Sequence, residues 1–292
     1  NPAFYKLMGV NNIDEFNSVD SRDLSSNPTV GHNNNDNQSQ KKCFKLSQER
    51  FQRLLSALKI DGKVNDYETQ INNQVGITTW INVSARLATD QQTNEEVIEG
   101  TLININERKA AEEQLKHLAN HDSLTGLVNR RAFENELKKA LDAVKENKKS
   151  CCLLYLDLDQ FKIVNDLCGH SAGDLLLKNL SQRLYRKLES FDGKHIISRL
   201  GGDEFGIILN RITLSKAQAI AEEFRQAIDE FLFVWEGQRF SLGVSIGLVE
   251  LCPFHQSIEQ IIVMADTACY LAKDQGRNRV HTFVESDQEL EF

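Results

Sequence analysis

The sequence holds no apolar run near the length that spans a bilayer and no signal-peptide pattern within its 292 residues. Any membrane tether is therefore expected from segments outside this chain. Six cysteines are present, with Cys151 and Cys152 adjacent, but no CxxC pair occurs. A small disulfide framework does not suit a chain this long, so a reduced, cytoplasmic setting is expected. Positive charge is also in deficit. The formal net charge of −8 argues against nucleic acid or anionic lipid as a partner, because the surface as a whole repels both. A phosphate-bearing substrate must then be held by local cations or by metal. No internal repeat is apparent, and nothing in the balance of 40% apolar and 26% charged residues suggests wholesale disorder.

The length allows two ordinary domains, and the first residue is Asn rather than Met, as expected of a piece of something larger. Texture changes near residue 105. Residues 11–42 are rich in Asn, Ser and Asp and read as loop. Two runs with partial alternation, Gly76–Leu87 and Val97–Ile105, read as strands, and Asp61-Gly62 reads as a turn. In residues 107–120 the period becomes helical, with Ala111, Leu115 and Leu118 on one narrow stripe suited to pairing with another helix. A helix packed on its own domain is the plainer alternative.

From Asp122 onward helical and strand patterns alternate. Phe133, Leu137, Leu141 and Val144 mark one amphipathic helix. Leu177, Leu180, Leu184 and Leu188 mark a second, Ile220, Phe224 and Ile228 a third, and Ile258–Ala272 a fourth. Cys151–Leu158 is a buried strand. Ile196–Leu200 and Phe205–Leu209 form a hairpin around Gly201-Gly202, Phe240–Val249 is a strand, and Arg279–Phe283 a last short one. Helices layered on one mixed sheet make this an α+β domain.

Three clusters carry chemistry. Gly201-Gly202-Asp203-Glu204 puts two carboxylates beside glycines that let a ligand approach the backbone. Taken alone, it is equally an ordinary turn with solvated acids. Asp157 ends an apolar run, where a desolvated carboxylate needs a partner or a metal. It is otherwise a strand-end residue or a helix cap, and Asp159 stays ambiguous. If the two segments are neighbours, Asp157 and Asp203 converge on one hard cation such as magnesium, which takes oxygen ligands and substrate phosphates. Last, Lys273 and Arg277 flank the helix-ending Gly276 and suit a triphosphate. Complementing the helix dipole is the plainer reading of them.

Together these segments resemble the GGDEF family of diguanylate cyclases. The resemblance rests on residues 122–130 (DSLTGLVNR), 156–173 (LDLDQFKIVNDLCGHSAG) followed by Asp174, Gly201–Phe205, 241–247 (SLGVSIG), and Ala265-Asp266 with Tyr270 and Lys273–Val280. It covers about 122–284. It implies a palm-like fold shared with nucleotide cyclases and polymerases, and condensation of two GTP molecules into cyclic di-GMP with loss of two pyrophosphates. It implies magnesium or manganese held by the Asp157 and Asp203 side chains and the Leu158 carbonyl, with Glu204 assisting the metal or deprotonating the 3′-hydroxyl. Asn165 and Asp174 match guanine-binding positions, and a buried Asp174 carboxylate would accept from guanine N1 and N2 but go unsatisfied with adenine. Phe161 and Lys162 match a loop over the phosphates, Gly201 and Gly202 the substrate turn, and Lys273 and Arg277 the triphosphate contacts.

Each domain holds one GTP, so a symmetric homodimer is implied. The family's inhibitory Arg-x-x-Asp pair is replaced by Asp192 and His195, so no product inhibition through that site is expected. The N-terminal half more weakly resembles a PAS sensor. Asn1–Val10 is similar to its first helix and 67–107 to its last three strands, with the first two strands missing. Its ligand is open; it either senses a small molecule or only dimerises. The expected organisation is a truncated PAS-like domain (1–106), a helical linker (107–121), the cyclase domain (122–285) and a tail (286–292). Many relatives continue into an EAL phosphodiesterase, so a fragment of a hybrid protein is implied. The alternative function is a silent GTP-binding module that controls such a downstream domain. A PAS-mediated scaffold alone would leave the acidic and base-binding residues without a purpose.

Overall fold

The computed structural model describes residues 44–46, 48–73, 78–89, 96–147, 149–284 and 287. The proposed first helix at Asn1–Val10, the Asn-rich stretch and most of the 286–292 tail lie outside them. The chain divides into two compact units, Asn1–Leu115 and Lys116–Phe292.

In the first unit, β1 (Phe44–Leu46), β2 (Lys63–Asn73), β3 (Thr78–Thr89) and β4 (Glu96–Asn104) form an antiparallel sheet in that order. Helix α1 (Gln48–Asp61), for which no sequence signal was recognised, ends at Gly62 with φ +69°. Leu54 and Leu58 of α1 pack with Ile81, Val83 and Ile98 in a small core. Alternate residues of β3 are buried, as a half-covered strand requires. Helix α2 (Asn106–Asn120) buries none of its residues, and Leu115 and Leu118 of its stripe are exposed.

The second unit is built on a six-stranded mixed sheet in the order β12-β11-β6-β8-β7-β5. Its strands are β5 (Val128–Asn129), β6 (Cys151–Asp159), β7 (Ile196–Gly201), β8 (Glu204–Asn210), β11 (Gly243–Glu250) and β12 (Val280–Thr282). The central pairs β11–β6, β6–β8 and β8–β7 are antiparallel, while the outer β12–β11 and β7–β5 pairs are parallel. Helices α3 (Arg130–Asn147), α4 (Phe161–Cys168), α5 (His170–Glu189), α6 (Leu214–Asp229) and α7 (Ile258–Asp274) flank it.

Strand β6 has both faces covered, so it reads as a continuous apolar run rather than an alternation. Leu154, Leu156 and Leu158 meet Leu176, Leu180 and Leu184 of α5 and Phe224 of α6. Cys151, Leu153 and Tyr155 on the opposite face meet Phe133, Leu137 and Leu141 of α3 and Ile261, Ala265 and Cys269 of α7. Each side chain buried this fully contributes about 1.5–3 kcal/mol. Cys151, Cys152, Cys168, Cys252 and Cys269 are free thiols, and burial pushes Cys151 and Cys269 up to about 12. No helix among the described residues is long and apolar enough to cross a membrane.

One expected strand is divided. Instead of running through Phe240–Val249, the chain forms β10 (Gln238–Ser241), paired with β9 (Leu232–Trp235) in a separate ribbon, and then β11. Leu242 between them is buried in the core, which lets the chain leave the ribbon and join the main sheet.

Candidate active site

The acidic residues meet through strand register. Asp157 of β6 lies directly opposite Glu204 of β8, and the Leu158 amide donates to the Asp203 carbonyl at 3.3 Å. Register partners share a sheet face. Asp157 continues the Leu153–Tyr155 side, the face covered by α7. From α7 the Lys273 ammonium reaches Asp157 Oδ2 at 2.7 Å, and the Asp157 carboxylate is only 16% exposed. Burial raises the Asp157 pKa. Lys273 opposes that rise, while the like charges of Asp203 and Glu204 add to it. Burial works against charge on Lys273 too, but its bond to Asp157 outweighs this and holds the ammonium above its ordinary range. The result is a compact anionic cluster with a cation already drawn to it.

The glycine turn is held by residues whose role sequence reasoning did not recognise. Gly202 has φ +50°, which its missing Cβ permits. Its carbonyl accepts from Arg199 Nε at 2.9 Å, and the same guanidinium pairs with Asp122 Oδ1 at 3.1 Å. Asp122 also accepts from the Thr125 amide and hydroxyl. Burial pushes the Asp122 pKa up, but these hydrogen bonds and Arg199 more than compensate, leaving it below the usual range. Asp122-Ser-Leu-Thr-Gly thus anchors the glycine hairpin. In the sequence, the hints were the arginine just before the Gly-Gly turn and the 122–130 motif, which shows nothing of their pairing.

Asp159, ambiguous in sequence, is structural. It is buried and accepts from Ser245 Oγ at 2.8 Å and from the Asn278 amide at 2.9 Å. That clamp pins the bend after α7, where Gly276 (φ +113°), Arg277 (+62°) and Asn278 (+46°) all have positive φ. Gly276 ends the helix as expected: its amide and that of Arg277 bond to the Lys273 and Ala272 carbonyls. Arg277 is exposed one turn beyond Lys273. Lys273 does more than complement the helix dipole, because its ammonium is committed to Asp157.

Two expectations about the base and phosphate segment change. Phe161 and Lys162 begin helix α4 rather than forming a loop, and Phe161 packs into the core while Lys162 is exposed. Gln160, in left-handed geometry at φ +62°, turns the chain sharply out of β6 and brings Phe161 back under it. Asp174 is exposed, not buried, so any desolvation of its carboxylate must come from the bound base itself. Asn165 lies against the first turn of α5: a Cβ on Gly173 would stand 2.0 Å from Asn165 Oδ1. Asn165 therefore packs beside Gly173, the residue next to Asp174.

No group of three or more His, Cys, Asp or Glu side chains is assembled to hold a metal among the described residues. The donors that do converge, hard carboxylate oxygens with a mutual charge conflict, suit an ion that completes its shell from substrate phosphates.

The family described as "Diguanylate cyclase, GGDEF domain" matches residues 119–279. The "Probable diguanylate cyclase DgcE" of Escherichia coli (strain K12) is 37% identical over 143 residues, covering 49% of this chain and 13% of that protein. The "Cyclic di-GMP phosphodiesterase PdeB" of Shewanella oneidensis is 34% identical over 146 residues, covering 49% of this chain and 16% of that protein. The chain therefore spans a small part of either relative. Among solved structures, the coiled coil and GGDEF domain of DgcB from Caulobacter crescentus, in complex with c-di-GMP, superposes with a TM-score of 0.57 at 30% identity, covering 61% of this chain and 93% of that one.

Proposed function

The chain belongs to the GGDEF family, and on that premise we propose that it condenses two GTP molecules into cyclic di-GMP, releasing two pyrophosphates. The observation that carries this reading is the register of β6 and β8, which sets Asp157 opposite Glu204 with Asp203 one residue before, at a glycine turn. Asp157, Asp203 and the Leu158 carbonyl would hold magnesium or manganese, whose contribution is to neutralise charge on the phosphates and acidify the attacking 3′-hydroxyl. Glu204 assists at that hydroxyl. Lys273, which holds Asp157 in this structure, and Arg277 would contact the triphosphate along one positive edge. Gly201 and Gly202 admit the phosphates close to the backbone, and Lys162 covers them from α4. Asn165 and Asp174 read the guanine edge.

Each domain carries one such half-site, so two copies face each other to complete the ring of the product. Residues 1–106 serve as a PAS-like input and 107–121 as the linker helix, a reading supported by the antiparallel β2–β3–β4 strands that precede α2. The similarity to a phosphodiesterase over this same region supports a second reading, a silent GTP-binding module that governs a downstream domain. Incubating the chain with GTP and magnesium separates the two. The first predicts cyclic di-GMP and pyrophosphate; the second predicts GTP binding with neither product.

Gly173→Ala tests the base-reading half of the site. The new methyl must displace the Asn165 carboxamide. The expected result is a rise of about tenfold in KM for GTP, equivalent to one lost hydrogen bond to the base, with a smaller change in kcat. Initial rates across GTP concentrations measure both, and an unchanged KM would remove Asn165 from guanine recognition.

A further inference from the structure

At the far end of the sheet from the acidic cluster lies a cavity of about 630 Å³ between the start of β6, the end of β8, α3 and the first turn of α6. Asp157 is six residues along β6 from Cys151, which lines this cavity, so the two sites stand about 20 Å apart. Its walls are partly apolar, with Ala140, Val144 and Ile212 buried behind it. Its rim carries Lys149, Lys194, Arg211 and Lys216 against a single carboxylate, Asp192. None of these four cations forms an ion pair among the described residues. In a chain of net charge −8, four unpaired cations gathered at one cavity run against the overall balance.

The rim is also well built. The Asn210 carboxamide donates to the Lys194 carbonyl, and Cys151 Sγ donates to Asn210 Oδ1, tying β6 and β8 to the loop before β7 at this edge. Arg211 sits at φ +60°, a conformation that costs a side-chain-bearing residue about 1 kcal/mol or more and that glycine adopts freely. Helix α6 starts at Thr213, whose side chain does not cap it. Its first-turn amides therefore add to the positive potential, and Lys216 stands in that same turn, where a cation opposes the helix dipole unless an anion lies nearby.

We propose that this cavity is a binding site for a small anion of linked phosphates, such as pyrophosphate or the polyphosphate tail of a nucleotide. Four cations opposed by one acid match a ligand carrying three or four charges better than a cyclic dinucleotide, whose two diesters carry only two. The inference is independent of the catalytic reading, since none of its residues belongs to the acidic cluster.

The test is calorimetric titration of the full chain with sodium pyrophosphate, ATP and cyclic di-GMP in separate runs, at low salt and with EDTA so that no metal-dependent site contributes. The wild type is expected to bind pyrophosphate and ATP more tightly than cyclic di-GMP. Lys194→Ala and Arg211→Gly are each expected to weaken that binding about tenfold, the equivalent of one lost charge-assisted contact. Arg211→Gly also relieves the backbone, so its melting temperature should hold or rise while binding falls, which separates loss of the ligand from loss of the fold. Lys178→Ala, at an exposed lysine of α5 outside both sites, should leave the affinity unchanged. The proposal is overturned by no measurable pyrophosphate binding, by wild-type affinity in either rim variant, by loss of binding in Lys178→Ala, or by tighter binding of cyclic di-GMP than of pyrophosphate.

Discussion

Asp203→Ala and Asp157→Ala are each expected to lower cyclic di-GMP formation by about three orders of magnitude or more, because a lost metal ligand removes several kcal/mol of transition-state stabilisation. The two acids belong to segments 46 residues apart and meet only through the β6–β8 ladder. Removing either leaves one carboxylate and the backbone to hold the cation that would neutralise the phosphates. The fold should not suffer in the same measure. The Asp157 pKa is raised in the folded chain, chiefly by burial. A carboxyl of that kind costs stability above its unfolded pKa and costs nothing below it. At neutral pH, Asp157→Ala removes that cost and also deprives Lys273 of its partner, so the two effects oppose each other. The melting temperature should stay near that of the wild type while activity disappears. Product quantified by chromatography, beside a thermal melt of the same samples, checks both halves. Full activity in both variants would end the metal-based reading, and loss of activity only in step with loss of folding would reduce Asp157 to a structural residue.

Gly247→Ala should destabilise the second unit by about 3 kcal/mol or more, the upper range for forcing extra volume into a packed interior. Gly247 lies in β11 directly beneath α7. A Cβ there would stand 2.0 Å from the Ala265 carbonyl oxygen and 2.6 Å from the Cys269 amide nitrogen. Both are backbone atoms of a helix, so no side chain can swing aside and α7 itself must lift from the sheet. Stability of a typical domain totals only about 5–15 kcal/mol, so a loss of this size is visible as a fall of roughly 6–12 °C in melting temperature. The same displacement moves Lys273, carried on the last turn of α7, away from Asp157. Urea or thermal denaturation measures the effect, and a variant that melts with the wild type would mean that α7 is not held at the distance described. Gly202 offers the contrast, because nothing lies within 4 Å of the Cβ it lacks. A substitution there would strain the backbone at φ +50° without disturbing the packing.

Local pattern carried most of the second unit. The four amphipathic helices, the buried strand Cys151–Leu158 and the Gly-Gly hairpin are each legible from spacing, because side-chain period is a property of a few consecutive residues. The acidic turn and the strand-end carboxylate were visible for the same reason. The first unit was less readable. Helix α1 does carry an amphipathic period, Phe51, Leu54, Leu55 and Leu58, and so was legible in principle, whereas a register shift between Val64 and Tyr67 breaks the alternation of strand β2.

What the amino-acid sequence alone determined is the inventory: which segments are helix or strand, which residues are able to bind metal, phosphate and base, and which family the motifs resemble. Tertiary structure decided how that inventory is assigned. Asp157 and Asp159 are two residues apart on one face of one strand, and nothing local distinguishes them. Asp157 is left open to Lys273 and the glycine turn, whereas Ser245 and the Asn278 amide close over Asp159 and consume its acceptors. Arg199 became the anchor of the turn, Phe161 a core residue, and Arg211 with its three lysines the rim of a cavity. Such roles depend on which residues distant in the chain share a strand register or a packed face. That is settled by the folding of the whole unit, because no short stretch of sequence contains both partners of a long-range contact.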